Sequence, residues 1–364
     1  MSFPGPRFFS EADPSSPGTD TLHCELCPHS CSLSPGKSGM CRVRVNNRGR
    51  GEIPFYGFVT GLAMDPIEKK PLYHYRPGSS VFSAGFLGCN LRCPFCQNWY
   101  ISQNTDSPGR RLTPAELISA ASGAYGQATR QPAAGQSAAG LSKAPGQITI
   151  AYTYSEPLVH IEFLIDCMEE ARKRQTANIL VTNGCINKEA AAEVLSLADA
   201  ANIDLKCFSK DSYSKVLGGD LDTVLNFIRT AHEKKVHVEI TTLVVPGFND
   251  SDEELDACAG FIAGIDPEIP WHLSAYHPDW KWEAPATSPA LLAGTAARAR
   301  KRLSFVYTGN IAGEKNDTPC PHCRKILVSR KSYHIDSSGL SLKEIDGKLQ
   351  YFCSFCKKPA PFRY

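Results

Sequence analysis

The stretch GCNLRCPFCQNWY, residues 88–100, holds three cysteines in the spacing CxxxCxxC: Cys89, Cys93 and Cys96. A structural zinc site normally has four protein ligands, so this triplet leaves one coordination position open. Thiolate-only ligation suits zinc or an iron–sulfur cluster, and an open position is what a catalytic metal needs. The alternative is a zinc knuckle whose fourth ligand lies elsewhere in the chain. The strand-like run at 80–86 ends just before the triplet, which predicts a site at the C-terminal end of a strand.

Short β-type runs alternate with helical patterns on either side of this stretch. The strand candidates are residues 80–86, 148–153, 178–182, 203–206, 237–245 and 271–276. Helical patterns lie near 113–124, 156–173, 187–200, 220–234 and 251–264, and Asn187 and Ser251 are candidate N-caps. Such alternation predicts parallel βαβ units. Six repeats predict an α/β fold with an open or partial (β/α) barrel, in which sites form at the C-terminal ends of the strands.

Composition narrows the class of protein. The 364 residues carry a net charge of +2 from 39 basic and 37 acidic residues, so the whole-chain balance argues against nucleic acid or an anionic membrane as partner, although a locally basic patch is compatible with it.

No apolar run reaches the roughly 18 residues of a membrane span. Residues 1–21 have no apolar core of a signal peptide and predict a disordered leader. A cytoplasmic, reducing location follows, which favours metal ligation over disulfides for the 15 cysteines as a set. The four that lie outside any cluster, Cys167, Cys185, Cys207 and Cys258, are predicted to be buried structural thiols. Residues 126–147 contain one large apolar residue and predict a flexible insertion.

Two further cysteine clusters flank the alternating region. Cys320 and Cys323 with Cys353 and Cys356 form two CxxC pairs, a pattern typical of a zinc ribbon; an auxiliary iron–sulfur cluster is the alternative. The N-terminal cluster is Cys24, Cys27, Cys31 and Cys41, with His29 as a spare candidate ligand. That spacing suits structural zinc or an auxiliary cluster, and zinc is the favoured interpretation.

The motif CNLRCPFC resembles the signature of the radical SAM superfamily. The resemblance implies that Cys89, Cys93 and Cys96 hold a 4Fe–4S cluster, and that S-adenosylmethionine chelates the fourth iron. Phe95 stands where the family has an aromatic residue near the adenine. The segment YTYSEP, 152–157, stands where the family has a glycine-rich segment ending in an acid. Glu156 matches the acid, while Tyr154 and Ser155 replace glycines.

Later strand ends extend the resemblance to glycyl-radical-activating enzymes. The motifs are VTNG (181–184), IDLK (203–206), VVPGFND (244–250) and LSAYHPD (273–279). Together with YTYSEP, these motifs imply that the cosubstrate is bound by Ser155, Glu156, Thr182, Asn183, Asp204, Lys206 and His277. Val181 stands where these activating enzymes have an acid that helps bind a monovalent cation, so that cation site is not inferred for this chain. Asp204 and Lys206 are two residues apart and should share one face of a strand; a simple surface ion pair is the alternative.

A narrower resemblance comes from CELCPHSCSLSPGKSGMCRVR near the start and DPIEKKPLYHYRPGSSVFSAGF before the triplet. Together with the late HPD, these are similar to the radical SAM member of the AmmeMemoRadiSam system, which implies Memo-like and Ammecr-like partner proteins. The implied electron donor is a carrier such as ferredoxin or flavodoxin.

The predicted organisation is a leader (1–21), a Cys-rich module (22–75), a partial (β/α)6 radical SAM barrel (76–303) and a zinc-ribbon module (304–364). The predicted reaction is reductive cleavage of S-adenosylmethionine to a 5′-deoxyadenosyl radical, which abstracts hydrogen from an unidentified substrate. Two alternatives are an activase of a glycyl-radical enzyme and a non-enzymatic zinc-ribbon binding protein.

Overall fold

A computed structural model describes residues 5–11, 20–130, 148–331 and 334–364. Its central feature is one eight-stranded sheet in the spatial order β8-β7-β6-β5-β4-β3-β2-β1. Strands β2 to β8 are parallel, and β1 pairs antiparallel with β2 at one edge. The strands are β1 (Gly61–Pro66), β2 (Ser80–Gly85), β3 (Thr149–Thr153), β4 (Ala177–Thr182), β5 (Ala200–Asp204), β6 (His237–Val244), β7 (Trp271–Ala275) and β8 (Val306–Gly309).

Six longer helices connect the parallel strands, one in each crossover. They are α1 (Pro114–Arg130), α2 (Ile161–Lys173), α3 (Lys188–Leu195), α4 (Leu221–Glu233), α5 (Asp252–Ile265) and α6 (Pro289–Ala299). The predicted α/β class and parallel sheet are confirmed. β2 and β3 are buried along their whole length, as expected when helices cover a parallel sheet. Ser251 caps α5 by accepting a hydrogen bond from the Glu254 N–H, whereas Asn187 precedes α3 without a side-chain cap.

The alternation pattern missed both edges of this sheet. β1 lies before the predicted barrel and β8 lies after it, so the sheet extends beyond residues 76–303. The run at 203–206 is also corrected: β5 ends at Asp204, and Lys206 follows the strand. The helical pattern expected to end near residue 124 continues to Arg130, while the remainder of the predicted insertion, 131–147, lies outside the described residues.

Short strands build the flanking modules. In the N-terminal module they are Phe9–Glu11, Leu22–Cys24, Cys31–Leu33, Val45–Asn47, Arg50–Glu52 and Phe58–Val59, the last paired with Arg110–Arg111. The disorder expected for residues 1–21 does not extend to Phe9–Glu11, because this segment pairs with Leu22–Cys24 and the Arg44 guanidinium lies 4.7 Å from the Phe9 ring centroid. In the C-terminal module the strands are Thr318–Pro319, Ile326–Lys331, His334–Asp336, Leu340–Ile345 and Lys348–Cys353.

Buried contacts attach both modules to the central sheet. On the N-terminal side, Arg44 and Glu162 of α2 form an ion pair at 2.8 Å with side chains 1% exposed. On the C-terminal side, the His74 ring stacks on Phe362 with centroids 4.7 Å apart, and one ring nitrogen lies 2.6 Å from the Pro361 carbonyl oxygen. The modules therefore form part of the walls around the sheet rather than independent appendages.

The sheet curves so that residues beyond both edge strands face one cavity. Glu68 and Lys70 follow β1, and Thr308 and Glu314 lie in or after β8; all four line it. Among the described residues β1 and β8 do not pair with each other, so the strand order is open. The partial barrel stays a prediction. None of the described helices has the length and apolar character needed to cross a bilayer.

Candidate functional site

A cavity of about 870 Å³ opens at the C-terminal ends of the parallel strands. It is where a parallel α/β sheet is expected to hold its ligand. All eleven side chains predicted around the triplet and the cosubstrate line this one cavity. They are Cys89, Cys93, Phe95, Cys96, Ser155, Glu156, Thr182, Asn183, Asp204, Lys206 and His277.

The cysteine triplet lies on the loop that follows β2. Gly88 adopts φ +75°, and a Cβ there would lie 2.4 Å from the Cys41 carbonyl oxygen, so only glycine fits at the start of this loop. The Cys89 sulfur accepts hydrogen bonds from the Leu91 N–H (3.3 Å) and the Asn183 side chain (3.6 Å). The Cys96 sulfur lies 3.3 Å from the Ser102 hydroxyl.

Burial governs the chemistry of these thiols. It raises the pKa of Cys93 to about 12 and that of Cys89 well above its usual value. Without a bound metal, both would therefore be thiols near neutral pH, and coordination would supply the charge that keeps them deprotonated. Three cysteines on one wall of a cavity, with N–H donors to the Cys89 sulfur, fit a group that takes three protein thiolates.

Glu156 joins the ends of β3 and β4. Its carboxylate accepts hydrogen bonds from the Thr182 hydroxyl (2.6 Å), the Asn183 N–H (2.7 Å) and the Leu158 N–H (3.1 Å). The last bond caps the short helix Pro157–His160. Burial raises the pKa of Glu156 to about 7 against the opposing effect of these donors. The side chain is thus fixed at the cavity wall, and it caps this short helix independently of any ligand that it binds.

Asp204 and Lys206 pair directly at the end of β5. The Lys206 ammonium lies 3.0 Å from the Asp204 carboxylate, with the side chains 18% and 33% exposed. Burial would lower the pKa of Lys206, but the Asp204 carboxylate and the sulfurs of Cys93 and Cys96 raise it above its usual value. Lys206 is therefore a permanent cation next to the triplet, although the pair also satisfies the simpler ion-pair interpretation.

Phe95 and His277 complete the predicted set. The Phe95 ring is buried and lies 5.1 Å from Phe248 and 6.1 Å from Trp282, centroid to centroid. His277 is exposed at the cavity rim, and its Nε2 lies 3.0 Å from the Asn310 carbonyl oxygen. Phe95 is therefore held rigidly by aromatic packing, whereas His277 is tethered through one contact.

Sequence reasoning missed the network behind Tyr154. Tyr154 adopts φ +71°, a left-handed conformation that glycine takes without strain. Its hydroxyl donates to the buried Asp65 carboxylate at 2.8 Å, and Asp65 also accepts from Lys70 (2.8 Å) and Ser83 (2.8 Å). The Lys70 ammonium lies 4.5 Å from the Tyr154 ring centroid. The only sequence signal was a tyrosine at a position where the resembled family has glycine.

The C-terminal cysteines form a compact donor set. Cys320 and Cys356 have their sulfurs 3.8 Å apart, and those of Cys323 and Cys353 are 3.7 Å apart. Four thiolates arranged as a tetrahedron at about 2.3 Å from one ion are about 3.8 Å apart, so the spacing fits a single tetrahedral metal. Burial opposes deprotonation of Cys353, but the N–H groups of Cys356 and Phe355 help to lower the pKa of Cys353 to about 7.

The other two cysteine clusters are more open. Among the described residues, the group of three or more potential metal ligands with donor atoms all within 4.8 Å of one another is this C-terminal set. In the N-terminal cluster, the Cys24 sulfur instead accepts from Arg44 at 3.3 Å, and His29 lies 2.7 Å from the Asn90 carbonyl oxygen. Metal binding by Cys24, Cys27, Cys31 and Cys41 stays a prediction. All 15 cysteines are described, and none of them forms a disulfide in this structure.

Known proteins share this sequence pattern. The model of the radical SAM superfamily matches residues 85–258. An uncharacterised protein of Methanocaldococcus jannaschii is 36% identical over 315 residues, which cover 85% of this chain and 87% of the relative. The chain belongs to the radical SAM superfamily. Membership implies S-adenosylmethionine and a 4Fe–4S cluster as cofactors of this radical SAM protein.

More distant relatives are activating enzymes. The pyruvate formate-lyase-activating enzyme of Staphylococcus aureus is 27% identical over 199 residues, which cover 52% of this radical SAM protein and 72% of the relative. Among solved structures, a domain of pyruvate-formate lyase-activating enzyme from Bacteroides vulgatus is 23% identical. The match covers 46% of this chain and 99% of that domain, with a TM-score of 0.39.

Proposed function

We propose that this protein reductively cleaves S-adenosylmethionine in the cavity at the strand ends. The observation that carries the proposal is the convergence there of three cysteines with polar side chains from the ends of β3, β4, β5 and β7. When bound, the cluster supplies the electron that splits the cosubstrate into methionine and a 5′-deoxyadenosyl radical, which removes a hydrogen atom from the substrate.

Each group of cavity residues would have its own role in the proposed reaction. Cys89, Cys93 and Cys96 would hold the cluster. Glu156 would orient the methionyl ammonium through a carboxylate whose Oε1 accepts from the Thr182 hydroxyl and whose Oε2 accepts from the Asn183 N–H. The cation of Lys206 would meet the cosubstrate carboxylate or ribose, with Asp204 fixing its position.

The aromatic wall and the rim complete the cosubstrate site. Phe95 would pack against the adenine, and His277 would lie at the adenosyl end. Ser155, whose hydroxyl is bonded to the Phe86 carbonyl oxygen at 2.8 Å, would present backbone groups to the cosubstrate. Packing of this kind also keeps water away from a reactive radical.

Zinc in the C-terminal module is the second part of the proposal. The sulfur spacing of 3.7–3.8 Å supports one tetrahedral ion over an auxiliary cubane, whose four thiolates would be spread over four iron atoms. For the N-terminal cysteines we keep structural zinc as the proposal, with an auxiliary cluster as the alternative.

An activase of a glycyl-radical enzyme is the second candidate function. The observation that favours it is the 27% identity to the Staphylococcus aureus activating enzyme, of which the chain spans 72%. In that case the substrate would be the backbone of a partner protein. A ferredoxin- or flavodoxin-like electron donor, a cytoplasmic location and association with Memo-like and Ammecr-like proteins belong to the same set of proposals.

The deciding experiment is electron paramagnetic resonance on anaerobically prepared, dithionite-reduced protein. Addition of S-adenosylmethionine should change the spectrum of the cluster, because the cosubstrate would bind the iron that has no cysteine. Cys93→Ala should lose this cluster. A fully iron-loaded protein whose spectrum ignores the cosubstrate would refute the proposed function.

A further inference from the structure

The balanced charge of the whole chain conceals a basic C-terminal module. The part of the module from its first strand onward, residues 318–364, contains nine Lys and Arg against three Asp and Glu, a net charge of +6. Since the whole chain carries +2, the remaining residues have a net charge of −4. The segregation of charge is one electrostatic feature expected of a surface that binds a polyanion.

The two cysteine knuckles, residues 320–325 and 353–358, have the same backbone turn and carry cations at the same positions. In the first knuckle, the Cys320 N–H donates to the Lys325 carbonyl oxygen (2.8 Å) and the Arg324 N–H donates to that of Cys320 (2.9 Å). The second knuckle repeats this pattern with the Cys353 N–H bonded to Lys358 and the Lys357 N–H bonded to Cys353, both at 2.9 Å. Each knuckle thus exposes an adjacent pair of cations, Arg324–Lys325 and Lys357–Lys358.

Backbone strain accompanies these cations. Arg324 and Lys357 both have φ +63°, the left-handed conformation that glycine adopts at least cost. Strained positions of this kind cluster at ligand-binding and other functional sites. Within the described residues, none of the four knuckle cations forms an ion pair with a carboxylate. Their charge is therefore available to a partner.

An exposed aromatic ring lies among these cations. Phe355 is 50% exposed, and its backbone N–H is anchored to the Cys353 sulfur at 3.4 Å. The Lys325 ammonium lies 4.7 Å from the Phe355 ring centroid, which brings the first knuckle next to the second. We call Arg324, Lys325, Phe355, Lys357 and Lys358 the knuckle surface.

We propose that the knuckle surface binds single-stranded nucleic acid. The four cations would contact phosphates, and the Phe355 face would stack on a base, the combination by which proteins bind single strands without strict sequence preference. An acidic protein would use the cations, but it would not specifically require the aromatic face. The inference is independent of the reaction in the cavity.

The test is fluorescence anisotropy of a fluorescein-labelled 12-nucleotide oligouridylate with the full-length, metal-loaded protein. We expect a Kd of about 1–100 µM near physiological salt, weakening as salt rises. Phe355→Ala should weaken binding at least about fivefold without changing the salt dependence, because it removes stacking and no charge. Lys357→Glu with Lys358→Glu should weaken binding and lower the slope of log Kd against log salt by about two or more.

A charge-matched control uses Lys331→Glu with Lys348→Glu. Both lysines are exposed at strand ends, Lys331 paired with His334 and Lys348 paired with Ile345. Cys353 pairs with Leu340 at the opposite end of the second hairpin, about 17 Å from Lys348 at strand spacing. This control should bind nearly as wild type. Equal loss in control and knuckle variants would overturn the proposal, as would absence of binding. The proposal would also be overturned if Phe355→Ala bound as tightly as wild type and polyglutamate competed as well as unlabelled oligouridylate. That result would indicate an acidic protein partner. Metal content of every variant is measured alongside.

Discussion

The Tyr154 hydroxyl donates a 2.8 Å hydrogen bond to the buried carboxylate of Asp65, across the gap between the C-terminal end of β3 and the antiparallel edge strand β1. Tyr154 directly precedes Ser155 and Glu156 and has φ +71°. The bond therefore holds a strained backbone at the point where the chain enters the proposed cosubstrate site. The hydrogen bond of its side chain thus maintains Tyr154 in a left-handed conformation that glycine would adopt without such a bond.

Substitution at Tyr154 separates backbone strain from side-chain contacts. Tyr154→Gly and Tyr154→Ala both remove the phenol, but only alanine retains the cost of a Cβ at positive φ, about 1–2 kcal/mol. We expect the glycine variant to bind S-adenosylmethionine about 5–30 times more tightly than the alanine variant. Isothermal titration at matched iron content measures this. Equal affinities would show that the left-handed conformation is not needed for binding.

Charge removal at Lys206 tests the cosubstrate position. Lys206→Met keeps the length of the side chain and should weaken S-adenosylmethionine binding roughly ten- to a hundredfold, the loss of one charge-assisted contact of about 1.5–3 kcal/mol. Cluster content should stay unchanged. Lys215→Met, which removes an exposed lysine paired with Asp211, is the matched control. A Lys206 variant that binds normally and only melts earlier would identify the pair as structural.

Metal removal tests the C-terminal module. Cys356→Ser should release the zinc ion held by the four C-terminal thiolates, a loss of about one zinc per chain, and lower the melting temperature, because a structural zinc contributes on the order of 10 kcal/mol to folding a small module. Ser354→Ala in the same knuckle should keep the metal. Elemental analysis with calorimetry checks both variants; iron with acid-labile sulfide in this module would contradict the zinc assignment.

The buried His74 predicts a loss of stability in acid. Burial lowers the pKa of His74 to about 3, whereas an unfolded histidine titrates near 6.5. Below about pH 6.5 this histidine takes up a proton in the unfolded chain but not in the folded chain. The contribution of neutral His74 to the free energy of unfolding is therefore intact at higher pH and is lost progressively as pH falls towards 3. His74→Gln should reduce the slope of the free energy of unfolding against pH between about 6.5 and 4.5. An unchanged slope in denaturant titrations would contradict the assignment.

Local patterns made much of the site predictable. The CxxxCxxC spacing and the polar residues that end successive strands are short-range features, and parallel connectivity brings the C-terminal ends of β2 to β8 to the same edge. For that reason all eleven predicted cavity residues lie around one cavity, although Lys206 follows its strand rather than ending it. The edge strands β1 and β8 were missed because β1 contains Gly61 and Pro66, residue types that are depleted in strands, and β8 has only four residues.

By itself, the sequence determined the alternating α/β fold, the cysteine triplet and the set of side chains at the strand ends, because periodicity and motif spacing are encoded within a few residues. Only the tertiary structure decided how close the sulfurs of the four predicted C-terminal cysteines lie, that Asp65 supports Tyr154, and that Lys325 of one knuckle lies over Phe355 of the other. These relationships join residues 30 or more positions apart. Their distances follow from how strands and modules pack, and no local pattern specifies them.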